Sequence, residues 1–165
     1  MIEAIENFFL ETVGREWCVF FCSMIPIIEL RGAIPLGAAM GLHPLLCFGI
    51  SIVGNMLPVP FILLFINAII QAMKKTKHLA RFANWLEAKA EKNKKKILSF
   101  GFFGLVLFVG IPIPGTGAWT GSLAGSVLRL PFWRALLATF LGVLMAGTIM
   151  TIISIPIYEI AIHVA

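Results

Sequence analysis

The sequence has no aspartate at all and only one tyrosine. Charged residues make up 13% of its 165 positions, about half the roughly 25% of a soluble domain. So few polar side chains cannot coat a water-facing surface, which excludes an ordinary soluble globule. A disordered chain is excluded too, because that needs low hydrophobicity and high charge. Cysteine is scarce: Cys18, Cys22 and Cys47 all lie in apolar runs. Cys18 and Cys22 share a helical face, but no histidine or third cysteine adds to them at metal-ligand spacing, so all three read as small buried hydrophobes, and neither a metal nor a cofactor is expected.

Apolar sequence dominates. Hydrophobic types make up 59% and mean hydropathy is +0.97. Asp, Glu, Lys and Arg are missing from four stretches: 12 residues over Trp17–Ile28, 42 over Gly32–Met73, 32 over Ile97–Leu128 and 24 over Ala135–Tyr158. A bilayer span needs about 20 apolar residues. The last stretch is one span. The two longest exceed one span and contain Pro and Gly, and the shortest suits only a half-span or re-entrant segment. An integral protein of the plasma membrane is expected, multi-pass, as a single membrane domain over 1–165.

The charges are bunched. Residues 74–96 hold nine Lys and Arg against two Glu. Within them Leu79, Phe82, Leu86 and Ala90 recur at helical spacing beside Trp85, the pattern of an interfacial helix. By the positive-inside rule this segment is cytoplasmic and faces anionic lipid, a better account of its charge than nucleic acid. The start, MIEAIENFFLETVGRE, is acidic, unlike a signal n-region. Ile2, Ile5, Phe9 and Val13 recur at helical spacing there and predict a second amphipathic interfacial helix.

On either side of the basic segment lie halves of like layout, 1–73 and 97–165. CSMIPIIELRGAIPLGAAMGLHP precedes one long apolar run and LFVGIPIPGTGAWTGSLAGSVLRLP precedes the other. Pro26 matches Pro112 and Pro44 matches Pro131, at offsets of 86 and 87. Each half reads as a half-span, a Pro/Gly break, a second half-span rich in small residues, and a full span. With 74–96 inside, the first hairpin turns near Glu29–Arg31 and the second at Pro112–Gly117, and both termini lie outside. The expected fold is all-α and polytopic: an inverted repeat of a re-entrant helical hairpin plus a transmembrane helix, with the two tips meeting near the midplane, where transporters place their sites.

Glu29 and Arg31 stand between apolar runs. An ionisable group at membrane depth costs about 2.5–3.5 kcal/mol on insertion scales, so a functional role is the first hypothesis. Residues i and i+2 of a regular helix face apart, so the pair is expected on a turn or with other partners. Gly32 and Pro35 mark the break. In the second half, Pro112 and Pro114 withhold N–H donors, while Gly115, Thr116, Gly117, Trp119 and Thr120 can offer backbone N–H groups and hydroxyls to an anion. Ala33, Gly37 and Gly41, and likewise Gly117, Gly121 and Gly125, form small-residue stripes suited to helix packing inside the subunit. Asn55 precedes Pro58 and Pro60 in a run too long for one straight span. It is placed to satisfy backbone groups freed by the kink.

At ELRGAIPLGAAMG and PIPGTGAWTGSLAG the chain resembles the small multi-drug export protein family. It is similar in layout to the DedA-type superfamily, whose members have two facing re-entrant hairpins and some of which move lipid carriers such as undecaprenyl phosphate. The first resemblance implies export of small amphipathic molecules; the second implies translocation of a lipid-linked phosphate. Read together with the residues, they imply proton- or ion-coupled secondary transport. Glu29 is then the coupling group, Arg31 the anion or structural partner, and the Pro-Gly tip the backbone ligand. A membrane enzyme acting on lipid phosphates would need a nucleophile with a base, or clustered metal ligands; His and Asp are missing at membrane depth. A scaffold without transport is the third class. A homodimer is expected, because two spans and two hairpins are few to enclose polar tips.

Overall fold

A computed structural model describes residues 14–75, 80, 81, 84, 88, 101–113, 115–127 and 130–164. The interfacial helices expected over the first 16 residues and over 74–96 lie mostly outside these, as do Pro114 and Arg129. Among the described residues the regular structure is entirely helical: α1 (14–24), α2 (Glu29–Ala39), α3 (Pro44–Met56), α4 (Pro58–Lys74), α5 (Gly101–Gly110), α6 (Ala118–Val127) and α7 (Phe132–Val164). Two stretches, Pro44–Phe65 and Phe132–His163, are long and apolar enough to cross a membrane. The chain forms two compact units, Met1–Met56 with Leu144–Ala165, and Leu57–Val143.

In the first unit α1 and α2 are the antiparallel arms of a helical hairpin. Arg15 Nη1 donates to the Met40 carbonyl at 2.9 Å at its base, and Val19 lies against Gly37 midway. The turn falls at Ile25–Ile28, ahead of the expected Glu29–Arg31. Its cause is Pro26, which occupies the second position of a turn closed by the Ile28 N–H on the Ile25 carbonyl, where a fixed φ is favourable. Gly32 and Pro35 do not break the chain, as their sequence had suggested. Both lie inside α2. Gly32 sits under the turn, where a Cβ would come within 2.6 Å of Ile28 Cγ2.

Gly41 serves a different purpose from the expected packing stripe. It ends α2 with φ +81°, the Gly41 N–H bonding the Ala38 carbonyl and the Leu42 N–H the Gly37 carbonyl, which is a Schellman cap. His43 Nδ1 then accepts the Leu45 N–H, and Pro44 takes the first position of α3. A Cβ on Gly37 would come within 2.5 Å of Cys47 Sγ, so α2 and α3 touch there. Gly54 lies against Ser23 and the Phe20 carbonyl of α1, and Gly147 of α7 against the Phe48 ring. Close approach at small residues thus packs these helices together.

The second unit uses the same devices. Gly121 lies against Val109 and Gly125 against Leu105, making α5 and α6 antiparallel arms. Gly125 also meets Ala135 of α7 and Leu63 of α4, Ser126 Oγ donates to the Leu63 carbonyl at 3.2 Å, and Gly142 lies against Val109 and the Val106 carbonyl. The correspondence between units is at an offset of 88: Gly37 with Gly125, Leu42 with Leu130, Cys47 with Ala135, Ser51 with Thr139, and Gly54 with Gly142. The proline-based offsets of 86 and 87 miss this by a residue or two, because Pro44 opens α3 whereas Pro131 precedes α7. Between α3 and α4 the chain breaks at Leu57, ahead of Pro58 and Pro60.

Candidate functional site

Glu29 follows directly on the hairpin turn and opens α2. It has φ +50°, alone among the described non-glycine residues in that region. A side chain there costs on the order of 1–3 kcal/mol and persists only where its surroundings enforce it. Only 5% of Glu29 is exposed. Arg31 is half-buried and interacts electrostatically with the Glu29 carboxylate. The left-handed backbone at Glu29 removes the regular i, i+2 geometry on which the two charges would face apart.

α3 turns a stripe toward the hairpin: Cys47, Ser51, Gly54 and Asn55 are all buried. The Gly37–Cys47 approach fixes the antiparallel register. Four-residue steps in opposite directions bring Ala33 level with Ser51 and Glu29 level with Asn55. The Gly54–Ser23 approach agrees, since Ser23 is in the last turn of α1, just before the tip. Ser51 Oγ and both polar atoms of Asn55 are fully buried and have no hydrogen-bond partner. Asn55 therefore does not satisfy backbone freed at the kink, as had been expected. It lies on the buried stripe, whereas the break is at Leu57, which is 47% exposed.

The second tip is built differently. Gly115 is exposed at φ +84°, which only glycine adopts readily. The Thr116 hydroxyl is 2.9 Å from both the Ile111 and the Ile113 carbonyl, closing the turn after Pro112. Thr120 Oγ1 accepts the Gly117 N–H at 2.8 Å, the reach-back half of a capping box at the start of α6. Both threonine hydroxyls are thus engaged with their own turn. Trp119 is half-buried in the first turn of α6, and Gly117 is buried. Gly121 and Gly125 meet side chains of their own unit.

Ser51 and Thr139 were not among the candidates read from the sequence. Both are fully buried and unpartnered, and they stand at equivalent places in the two units. The four-residue spacing Cys47–Ser51–Asn55 is a signal that could have found Ser51. Arg15, which ties the base of the first hairpin, carried no motif. Cys18 and Cys22 sulfurs lie 4.0 Å apart on α1, and the buried Cys47 thiol points to the Leu42 carbonyl at 3.8 Å.

A family model described as Putative small multi-drug export protein matches residues 29–149. The match opens on Glu29. No curated protein and no solved structure matches the chain.

Proposed function

Since the chain belongs to the small multi-drug export protein family, we propose that it is a plasma-membrane secondary exporter of small amphipathic molecules, driven by a proton or ion gradient through Glu29. The observation that carries this is the Glu29 carboxyl: buried, held at a left-handed backbone position, and in electrostatic interaction with the half-buried Arg31. A carboxyl that exchanges a proton while shielded from bulk water can couple a gradient to cargo movement. Arg31 is the partner of that charge, or of an anionic cargo. The Pro112–Thr120 turn, with Pro114, supplies backbone ligands at the second tip.

The α1–α2 arms support a re-entrant placement. The 11 residues of α2 rise about 16 Å, roughly half of the ~30 Å hydrocarbon core. The repeat is inverted in this reading, with both termini outside and residues 74–96 cytoplasmic against anionic lipid. On a background lacking Cys18, Cys22 and Cys47, single cysteines at positions 84 and 88, both exposed, are expected to label from the cytoplasmic face. Position 3 is expected to label from outside. Cytoplasmic labelling at position 3 turns the hairpin into an ordinary span and sinks the inverted topology.

The function itself is tested with purified protein in liposomes under an imposed pH gradient, against a panel of amphipathic cations and a lipid-linked phosphate. Gradient-dependent flux of the cations is expected. Flux of the lipid phosphate alone moves the reading to lipid-carrier translocation, with Arg31 as its anion site; no flux of either rejects transport. Polar tips need cover from protein on all sides, so a homodimer is part of the proposal. Mass measurement in nanodiscs rejects it if only monomer is found in a preparation that shows full flux in liposomes.

A further inference from the structure

The orphaned amide of Asn55 is the least explained polar group in the first unit. Both Oδ1 and Nδ2 are buried without a partner. A buried amide in that state has given up its hydrogen bonds to water without replacing them, so a second arrangement that supplies a partner is favoured. By the register that the Gly37–Cys47 approach sets, Asn55 on α3 is level with Glu29, the first residue of α2.

We propose that Asn55 receives Glu29 when the carboxyl is protonated, so that the side chain passes between Arg31 in its charged state and Asn55 in its neutral state. This rests on the coupling role given to Glu29 above. The chemistry selects the states. A carboxylate only accepts hydrogen bonds, so it suits a guanidinium, which only donates. A carboxylic acid has one donor and one acceptor, and a primary amide has the same two in complementary order. The acid O–H donates to Asn55 Oδ1 while Asn55 Nδ2–H donates to the acid carbonyl, closing a ring of two bonds. Proton uptake neutralises Glu29 and leaves Arg31 charged and open to a water or an anionic group. Proton release reverses both changes.

Among the described residues of the unit, Arg31 is the titratable group that interacts with Glu29, and the others lie further along their elements. On α1 the nearest is Cys22, with Cys18 one turn below and Arg15 and Glu16 at the hairpin base, where Arg15 holds the Met40 carbonyl. On α2 there is Arg31 alone. On α3 there is Cys47, two turns from Asn55. On the α7 portion, Tyr158 meets the His43 ring at a centroid distance of 5.5 Å, and His163 bonds the Glu159 carbonyl one turn along. His43 precedes the first residue of α3 and Asn55 is near its last, about 18 Å along the helix. Ser51, also unpartnered, continues the polar stripe one turn from Asn55.

Infrared difference spectroscopy of the full chain in liposomes, between alkaline and acidic buffer, reads the pair without any cargo. A protonated-carboxyl C=O band is expected on acidification and is lost in Glu29→Gln. In Asn55→Leu, which removes an orphan rather than a bond, the band is expected to persist at higher frequency, as for a carboxyl deprived of its hydrogen bonds. A band at the wild-type frequency in Asn55→Leu overturns the proposal and leaves the coupling role of Glu29 standing. No Glu29 band at any pH overturns the coupling role, and the proposal with it. Should Asn55→Leu fail to fold, the unmutated protein decides. With isotope-labelled asparagine, an amide band that shifts together with the Glu29 band supports the pairing, and amide bands unmoved by acidification overturn it.

Discussion

Glu29→Gln is expected to reduce gradient-driven flux in liposomes to the background leak, while the protein still inserts and folds. Glutamine matches glutamate in length and volume, so the buried position that opens α2 stays filled. It keeps hydrogen-bonding capacity but has no proton to exchange. Removing a group that transfers a proton at a working site typically costs roughly 10²–10⁴-fold in rate, and coupled transport has no bypass around such a group. Arg31→Lys serves as the companion variant. Ammonium retains the charge but not the planar fork that grips a carboxylate or phosphate by two bonds, so partial impairment is expected. The assay is the initial rate of cargo release after an acid jump, normalised to reconstituted protein. Normal pH-driven flux in Glu29→Gln ends the coupling hypothesis for every cargo.

The second large effect is structural. Gly54→Val and Gly142→Val are each expected to abolish recovery of monodisperse protein. A Cβ on Gly54 would come within 2.7 Å of the Phe20 carbonyl, and one on Gly142 within 2.8 Å of the Val106 carbonyl and 2.6 Å of Val109 Cβ. Side-chain atoms can rotate away from such a clash; backbone carbonyls cannot, so a whole hairpin arm must shift. Overpacking of a close contact costs about 1–3 kcal/mol even where side chains yield. Gly49→Val is the matched control, since nothing lies within 4 Å of a Cβ there. Size-exclusion profiles and thermal unfolding in one detergent decide the matter. Gly54→Val melting with the wild type would mean that α1 and α3 do not meet at this glycine.

Much of the architecture was legible from where charge is missing. A charge-free run of 12 residues cannot span, and a run of 42 with Pro58 and Pro60 in it cannot be one straight helix. The second of these led to a break, which falls at Leu57. Which proline turns the chain was harder to read. Pro26 makes the first turn and Pro35 is carried inside a helix, because the outcome depends on whether the missing N–H falls in a turn or in a ladder. Glu29 was found because a lone acid between apolar runs is conspicuous. Ser51 and Thr139 were not, since a hydroxyl residue in an apolar helix can bond its own preceding turn, as Thr151 does to the Gly147 carbonyl at 2.8 Å. Only the three-dimensional arrangement distinguishes that self-satisfied state from an unpartnered one. Gly41 likewise fitted a four-residue stripe by spacing, and its positive φ reveals a cap.

The make-up of the first unit has a consequence for how the protein is made. Its two segments, Met1–Met56 and Leu144–Ala165, lie at opposite ends of the chain. During synthesis the α1–α2 hairpin and α3 leave the ribosome first and wait for the stretch of α7 that carries Gly147 to the Phe48 ring. At about 5–20 residues per second the delay lasts from several seconds to about 20 s, a long interval for α3 to stand without the partner that meets its Phe48 ring. Truncation before residue 144 therefore prolongs that unassembled state indefinitely. The C-terminal part of α7 is thus the latch that completes the first unit.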